Sequence, residues 1–143
     1  MKKLRIGIYS AGLRVYWAQF ANLRDRMLHY NSFVSEKLGA YGEVFNYGLV
    51  DNVDVAEDAG EYFQKNNVDI IFLHSATYFT SDSVLPIHKI CKAPVIVLNL
   101  QPTPQIDYDR TDTGEWLSQC GACPVPELSN AFNRAGIPFR CVN

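Results

Sequence analysis

The chain has 143 residues, 48% of them hydrophobic and 20% charged, which is the composition of one globular domain and excludes disorder as its main state. Thirteen Lys and Arg against fifteen Asp and Glu leave a net charge of −2, so there is no basic footprint for nucleic acid. The longest apolar runs, Ile70–Leu73 and Pro94–Leu100, are too short to cross a bilayer, and Met1-Lys-Lys precedes too short an apolar run for a secretory signal. The expectation is a cytoplasmic domain without membrane or nucleic-acid partners, its four cysteines (Cys91, Cys120, Cys123, Cys141) reduced.

The first element is a strand over Leu4–Tyr9, ending at Ser10-Ala-Gly12. Phe20, Leu23, Met27, Tyr30, Val34 and Leu38 recur at helical spacing and predict one long helix, with Gly39 just past its end and Tyr16-Trp17 at its opening. Glu43–Tyr47 reads as a second strand stopped by Gly48. Asp51–Asp54 offers caps for a helix carrying Val55, Ala59, Tyr62 and Phe63, closed by Asn66-Asn67. Asp69–His74 is a third strand. Thr80–Ser83 caps a helix through Cys91, with Pro86 in its first turn. Pro94–Leu100 is a strand buried on both faces. A long irregular stretch over Gln101–Pro126 follows, then a helix from near Glu127 to Gly136, and a fifth short strand over Pro138–Val142.

This alternation predicts an α/β three-layer sandwich with a mainly parallel sheet, flavodoxin-like or Rossmann-like. Loops after the strand C-termini form the binding edge of such a sheet, so Ser10–Tyr16, Gly48–Asp54, His74–Asp82 and Gln101–Pro126 should share one rim. Ser10-Ala-Gly-Leu13 matches neither Gly-x-Gly-x-x-Gly nor a Walker loop, and reads as a turn. Tyr16 and Trp17 fit core packing slightly better than contact with a sugar or a partner. His74, at a strand end on the rim, is a structural histidine or a ligand-facing one; His29 and His88 sit within helices and are expected to be uninvolved. Cys120-Gly-Ala-Cys123 lies too late in the chain for a thioredoxin motif and lacks the partners of a zinc site, so it reads as a turn; a redox role would require one thiol of depressed pKa, which a helix start near Pro124 could supply. Asp107, Asp109, Asp112 and Glu115 read as a solvated loop face rather than an acid–base or metal cluster. Spacing alone assigns no catalytic residue.

Ser10-Ala-Gly-Leu-x-x-Tyr-Trp-x-Gln-Phe20, Phe72-Leu-His-Ser-Ala-Thr77, Lys92-Ala-Pro-Val95, Asn99-Leu-Gln101, Glu115-Trp-Leu-Ser-Gln119 and Glu127-Leu-Ser-Asn-x-x-x-Arg-Ala-Gly136 occur in an order and spacing that resembles the N-terminal domain of the L-arabinose/L-fucose isomerase-like family. The resemblance spans nearly the whole chain but only the first domain of longer family members. It implies an aldose–ketose isomerase that uses a divalent metal, typically Mn²⁺, with proton transfer through an enediol and glutamates in acid–base roles. The family's metal ligands lie in later domains, and its N-terminal domain reaches into a neighbouring subunit's site within a homo-oligomer. This segment would then carry no cofactor or metal of its own, would be catalytically silent alone, and would contact a sugar alongside the remaining domains of its polypeptide.

Carried over by position, Gln119 matches the substrate-contacting glutamine, and Leu13 and Tyr16 fall near first-loop sugar contacts. Trp17 and His74 complete the candidate set, with Cys123 closest to where arabinose isomerases carry a histidine, one residue out of register. That departure speaks against arabinose itself. The chain stops inside an expected strand at Arg140–Asn143, which reads as a boundary within a longer protein. The alternative is a stand-alone flavodoxin-like or sugar-binding receptor-like module without catalysis.

Overall fold

Alternating β-branched and aromatic runs place five parallel strands side by side in a computed structural model that describes residues 3–143. Met1 and Lys2, the start of the stretch weighed as a signal, lie outside the described residues. The strands are β1 (Arg5–Ala11), β2 (Glu43–Val50), β3 (Ile70–Ser75), β4 (Val95–Leu98) and β5 (Phe139–Val142), in the spatial order β2-β1-β3-β4-β5. All pair parallel, so each connection must cross over a face of the sheet. The helices are α1 (Val15–Gln19), α2 (Leu23–Leu38), α3 (Val53–Lys65), α4 (Leu85–Ile90), α5 (Thr113–Leu117) and α6 (Val125–Ala135). The α/β three-layer class and the flavodoxin-like order are those expected of the alternation.

Period-two alternation sorts side chains between the faces. Tyr9, Ala11, Ile71, Leu73, Val95 and Val97 point to one side, where Phe63 of α3, Ile87 of α4 and Leu128 and Phe132 of α6 complete the main core. Each fully buried Phe there contributes about 1.5–3 kcal/mol over leaving it in water. Ile8, Phe72, Ile96 and Leu98 point to the other side, against Val34 and Leu38 of α2. A third cluster, Leu23, Met27, Ala76 and Leu117, joins α2 to α5 at the C-terminal edge of the sheet. No helix among the described residues is long and apolar enough to cross a membrane.

Several local expectations are corrected. The long helix does not begin at Tyr16-Trp17: Phe20 is extended (φ −123°, ψ 106°) and Asn22 is left-handed (φ 62°), so the short α1 is separated from α2. The cause is tertiary. Asp51 accepts hydrogen bonds from the Trp17 indole (2.7 Å) and the Arg14 guanidinium (2.9 Å), holding α1 at the end of β2 at an angle that a continuous helix could not reach. Asn tolerates the left-handed residue this requires.

Gly48 does not stop its strand. Ile8 pairs with Asn46 and Tyr9 with Gly48, so Tyr47 is an extra residue in a bulge, and Gly48 supplies the φ of 91° that lets β2 continue to Val50. Gly39 follows the helix end but in right-handed geometry, whereas Gly136 caps α6 left-handed at φ 66°. The irregular stretch Gln101–Pro126 contains α5, capped by Asp112, whose carboxylate accepts from the Glu115 N–H at 2.7 Å.

Candidate functional site

In the order β2-β1-β3-β4-β5 the chain reverses its winding between β1 and β3. A cleft of about 280 Å³ lies beyond the carboxyl ends of β3 and β4, lined among others by His29, Tyr30 and Phe33 of α2, His74 of β3, Gln101 and Ser118. The face of β1 and β3 that meets α2 is apolar along most of its length. At the cleft it turns polar, with Ser10 fully buried and His74 4% exposed.

These polar groups form one chain of hydrogen bonds whose sense is fixed at its outer end. The Gly48 N–H, which can only donate, donates to Asn46 Oδ1 at 2.8 Å. Asn46 Nδ2 therefore donates to Asn31 Oδ1 at 2.7 Å, and Asn31 Nδ2 donates to Ser10 Oγ at 3.0 Å. Ser10 Oγ lies 2.8 Å from His74 Nδ1. Asn31 donates to Ser10, and among the described residues His74 Nδ1 is the one acceptor within reach of the buried Ser10 hydroxyl, so we assign its proton to His74 Nδ1. The imidazole is then the Nε2–H tautomer, and Nε2 has no partner among the described residues. Burial pulls the His74 pKa from 6.5 down to about 4, so the ring is neutral at physiological pH. The relay thus presents one uncharged N–H donor to the cleft. A neutral ring with its proton already on Nε2 is a poor general base and a good donor to a carbonyl or hydroxyl oxygen.

The remaining sequence-predicted residues fall elsewhere on the rim. Leu13 is half-buried in the turn after β1, its carbonyl accepting from the Tyr16 N–H at 3.0 Å. Tyr16 stacks edge-on against Phe20 with ring centres 5.9 Å apart. Trp17 spends its indole N–H on Asp51 and leans on Gly12, where an added Cβ would come within 2.7 Å of the ring. Gln119 is buried, with Oε1 accepting from the Thr103 hydroxyl at 2.6 Å. Cys123 is exposed and Cys120 buried, their sulfurs 2.9 Å apart. None of these five lines the cleft; of the candidate set, His74 alone does.

His29, expected to be uninvolved, does line it. His88 is enclosed on the opposite face, with Nε2 2.9 Å from the Tyr9 hydroxyl and Nδ1 unpaired. Ser10, Asn31 and Asn46 were missed in the sequence. The signal for Asn31 was its position, four residues after Met27 and three before Val34 on the apolar stripe of α2, where a polar side chain must find a buried partner.

Among the described residues no three His, Cys, Asp or Glu side chains gather to hold a metal ion. The acids of the long loop have other uses: Asp112 caps α5, Glu115 pairs with Arg26, and Asp107 sits 3.7 Å from Arg110 in solvent. A second, larger depression of about 490 Å³ lies between Gln19–Leu23 and Asp112–Glu115, but its Arg26, Glu115 and Asp112 are already paired with one another or with backbone. Burial and then the neighbouring Cys123 push the Cys120 thiol up to about 12.

No family model and no curated protein matches the sequence. The lac repressor dimer bound to operator and the anti-inducer ONPF is similar over 98% of this chain and 47% of its own, at 13% identity and a TM-score of 0.42. A sugar-binding transcriptional regulator of the LacI family from Escherichia coli, complexed with phosphate, is similar over 99% of this chain and 59% of its own, at 12% identity and a TM-score of 0.36. The chain spans about half the length of these solved proteins.

Proposed function

We propose that this domain binds a small, uncharged polyhydroxylated molecule of monosaccharide size in the cleft beyond β3 and β4. The observation that carries the reading is the buried relay ending in the His74 Nε2–H. It holds a neutral donor in the lining of the cleft, beside His29, Gln101 and Ser118, where an oxygen of a ligand would complete it. The lining supports the same ligand class. It holds no Lys, Arg, Asp or Glu, while Tyr30 and Phe33 offer ring surface for the C–H face of a sugar. A volume of about 280 Å³ lies at the small end of ligand pockets, whose usual range starts at roughly 300 Å³.

The resemblance to L-arabinose/L-fucose isomerase-like proteins would make the ligand an aldose or its ketose. This segment would then be a substrate-contacting domain of a homo-oligomer, with the divalent-metal chemistry carried by other parts of a longer polypeptide. The domain's own contribution is to bind and orient; among the described residues no three His, Cys, Asp or Glu side chains gather to hold a metal ion. The reading of a receptor-like module without catalysis shares the same cleft and the same ligand class.

Titration of isotope-labelled protein with neutral aldoses, ketoses and polyols, against inorganic phosphate, tests the proposal. A neutral sugar is expected to shift the His74 Nε2–H and the Tyr30 and Phe33 ring signals. His74→Phe is expected to weaken that binding about tenfold, the worth of one hydrogen bond of about 1.4 kcal/mol. Perturbation of these signals by phosphate and by no sugar or polyol would overturn the reading.

A further inference from the structure

The pair Cys120 and Cys123 is not used by the cleft, yet its placement is specific. The Cys123 N–H donates to the Cys120 carbonyl at 3.2 Å, closing a four-residue turn. Such a turn keeps its end Cα atoms under roughly 7 Å apart, within the span a disulfide accepts. The sulfurs are already 2.9 Å apart, with the buried Cys120 thiol donating to the exposed Cys123. The turn is anchored to the sheet. The Ser75 hydroxyl at the end of β3 donates to the Gly121 carbonyl, and Gly121 packs so closely that an added Cβ would lie 2.2 Å from the Ser75 carbonyl oxygen. The two thiols are therefore held together by backbone that cannot drift away from the strand.

We propose that Cys120 and Cys123 are a reversible dithiol–disulfide pair on the binding edge, exchanging two electrons with a small-molecule disulfide of the glutathione type. The inference stands apart from the sugar-binding proposal. The exposed Cys123 thiolate attacks one sulfur of the small disulfide, forming a protein mixed disulfide and releasing one thiol. Cys120 then loses its proton and attacks Cys123 Sγ, displacing the second small thiol, which takes up that proton. The dithiol is oxidised to an intramolecular disulfide and the small disulfide is reduced to two thiols. The order follows from the surroundings: burial and Cys123 itself hold Cys120 protonated with its pKa up to about 12, and the Cys123 part of that effect ends once Cys123 is in the mixed disulfide.

The test is incubation of the reduced full chain with oxidised glutathione, followed by intact mass and peptide mapping. A Cys141→Ser background removes the other exposed thiol. The expected result is loss of two hydrogens, mapped to a bridge between Cys120 and Cys123, and reversal by reduced glutathione. Cys120→Ser should instead remain glutathionylated at Cys123. Because the protein without the Cys120→Ser change is itself mapped, a misfolded variant does not blunt the test. Stable glutathionylation of Cys123 with Cys120 present, or an unmodified Cys123, would overturn the proposal.

Discussion

Removal of one oxygen, in Ser10→Ala, should show whether the relay is real. Ser10 is fully buried and has two partners: Asn31 Nδ2, which donates to it at 3.0 Å, and His74 Nδ1, which accepts from it at 2.8 Å. The substitution strands both. Asn31 Nδ2 keeps only a long contact to the Gly48 carbonyl at 3.4 Å, though Asn31 Oδ1 still accepts from Asn46, and His74 Nδ1 faces a methyl group. A buried polar group left unpaired costs about 1–3 kcal/mol, so two of them, partly relaxed, should destabilise the fold by about 2–4 kcal/mol. With a urea dependence of about 1–3 kcal/mol per M for a domain of this size, the unfolding midpoint should fall by about 1–2 M. The same variant frees His74 to take either tautomer, which nitrogen-15 spectroscopy of the ring reads directly. A midpoint shift below about 0.3 M, under roughly 0.5 kcal/mol, would refute the buried chain. So would an Nδ1–H tautomer of His74 in the unmodified protein.

The buried histidines predict acid sensitivity. The unfolded chain protonates His74 near pH 6.5 while the fold resists until about 4, so stability is full above 6.5 and falls through that window as pH drops, by roughly 3 kcal/mol from His74 alone. His88, lowered to about 3 by burial and then by Lys92, acts with the same sign, and urea midpoints that do not move between pH 7.5 and 4.5 would contradict both. Gly48→Ala should cost about 1–2 kcal/mol, because at φ 91° the penalty is backbone strain and not crowding, its nearest neighbour being Leu28 at 4.0 Å; an unchanged thermal midpoint would refute it. Asn52→Ala removes the side chain that accepts from the Val55 N–H at 2.9 Å and caps α3, and should cost about 1 kcal/mol by denaturant titration. Gly121→Ala cannot be accommodated against Ser75 and should lift the turn off β3, read as faster labelling of Cys120 by a thiol reagent.

The sheet was legible because its strands are short apolar, β-branched runs bounded by turn residues, with the central β1, β3 and β4 largely buried, a pattern that local sequence dictates. Where tertiary contacts override local pattern, legibility ends. Nothing in the run from Tyr16 to Leu38 announces that Asp51, just past the end of β2, will draw α1 aside and break the helix at Asn22. Gly48 offers the same lesson: a glycine after a strand reads as a stop, and only pairing with β1 reveals a bulge. The site was legible at one residue. His74 stands at a strand end on the binding edge, a matter of topology, whereas its partners Ser10, Asn31 and Asn46 lie on three other elements and meet only in the folded chain. Leu13, Tyr16, Trp17, Gln119 and Cys123 share the rim without lining the cleft, since sequence order locates an edge but not which side of it opens.

A purely structural account of the relay explains part of it. Asn46 pins the bulge through the Gly48 N–H, and Asn31 ties α2 to β2; both would serve a protein that bound nothing. Such an account has no use for the inner half. The rest of that face is filled by Ile8, Phe72, Ile96 and Leu98, and apolar residues at Ser10 and His74 would extend the same packing without the desolvation that buried polar groups demand. The two accounts differ in a double-mutant cycle over Ser10→Ala and His74→Phe. Stability should couple the two sites on either account. Ligand affinity should couple them only if Ser10 acts by holding the His74 proton on Nε2, so that Ser10→Ala weakens sugar binding when His74 is present and has no effect once it is Phe.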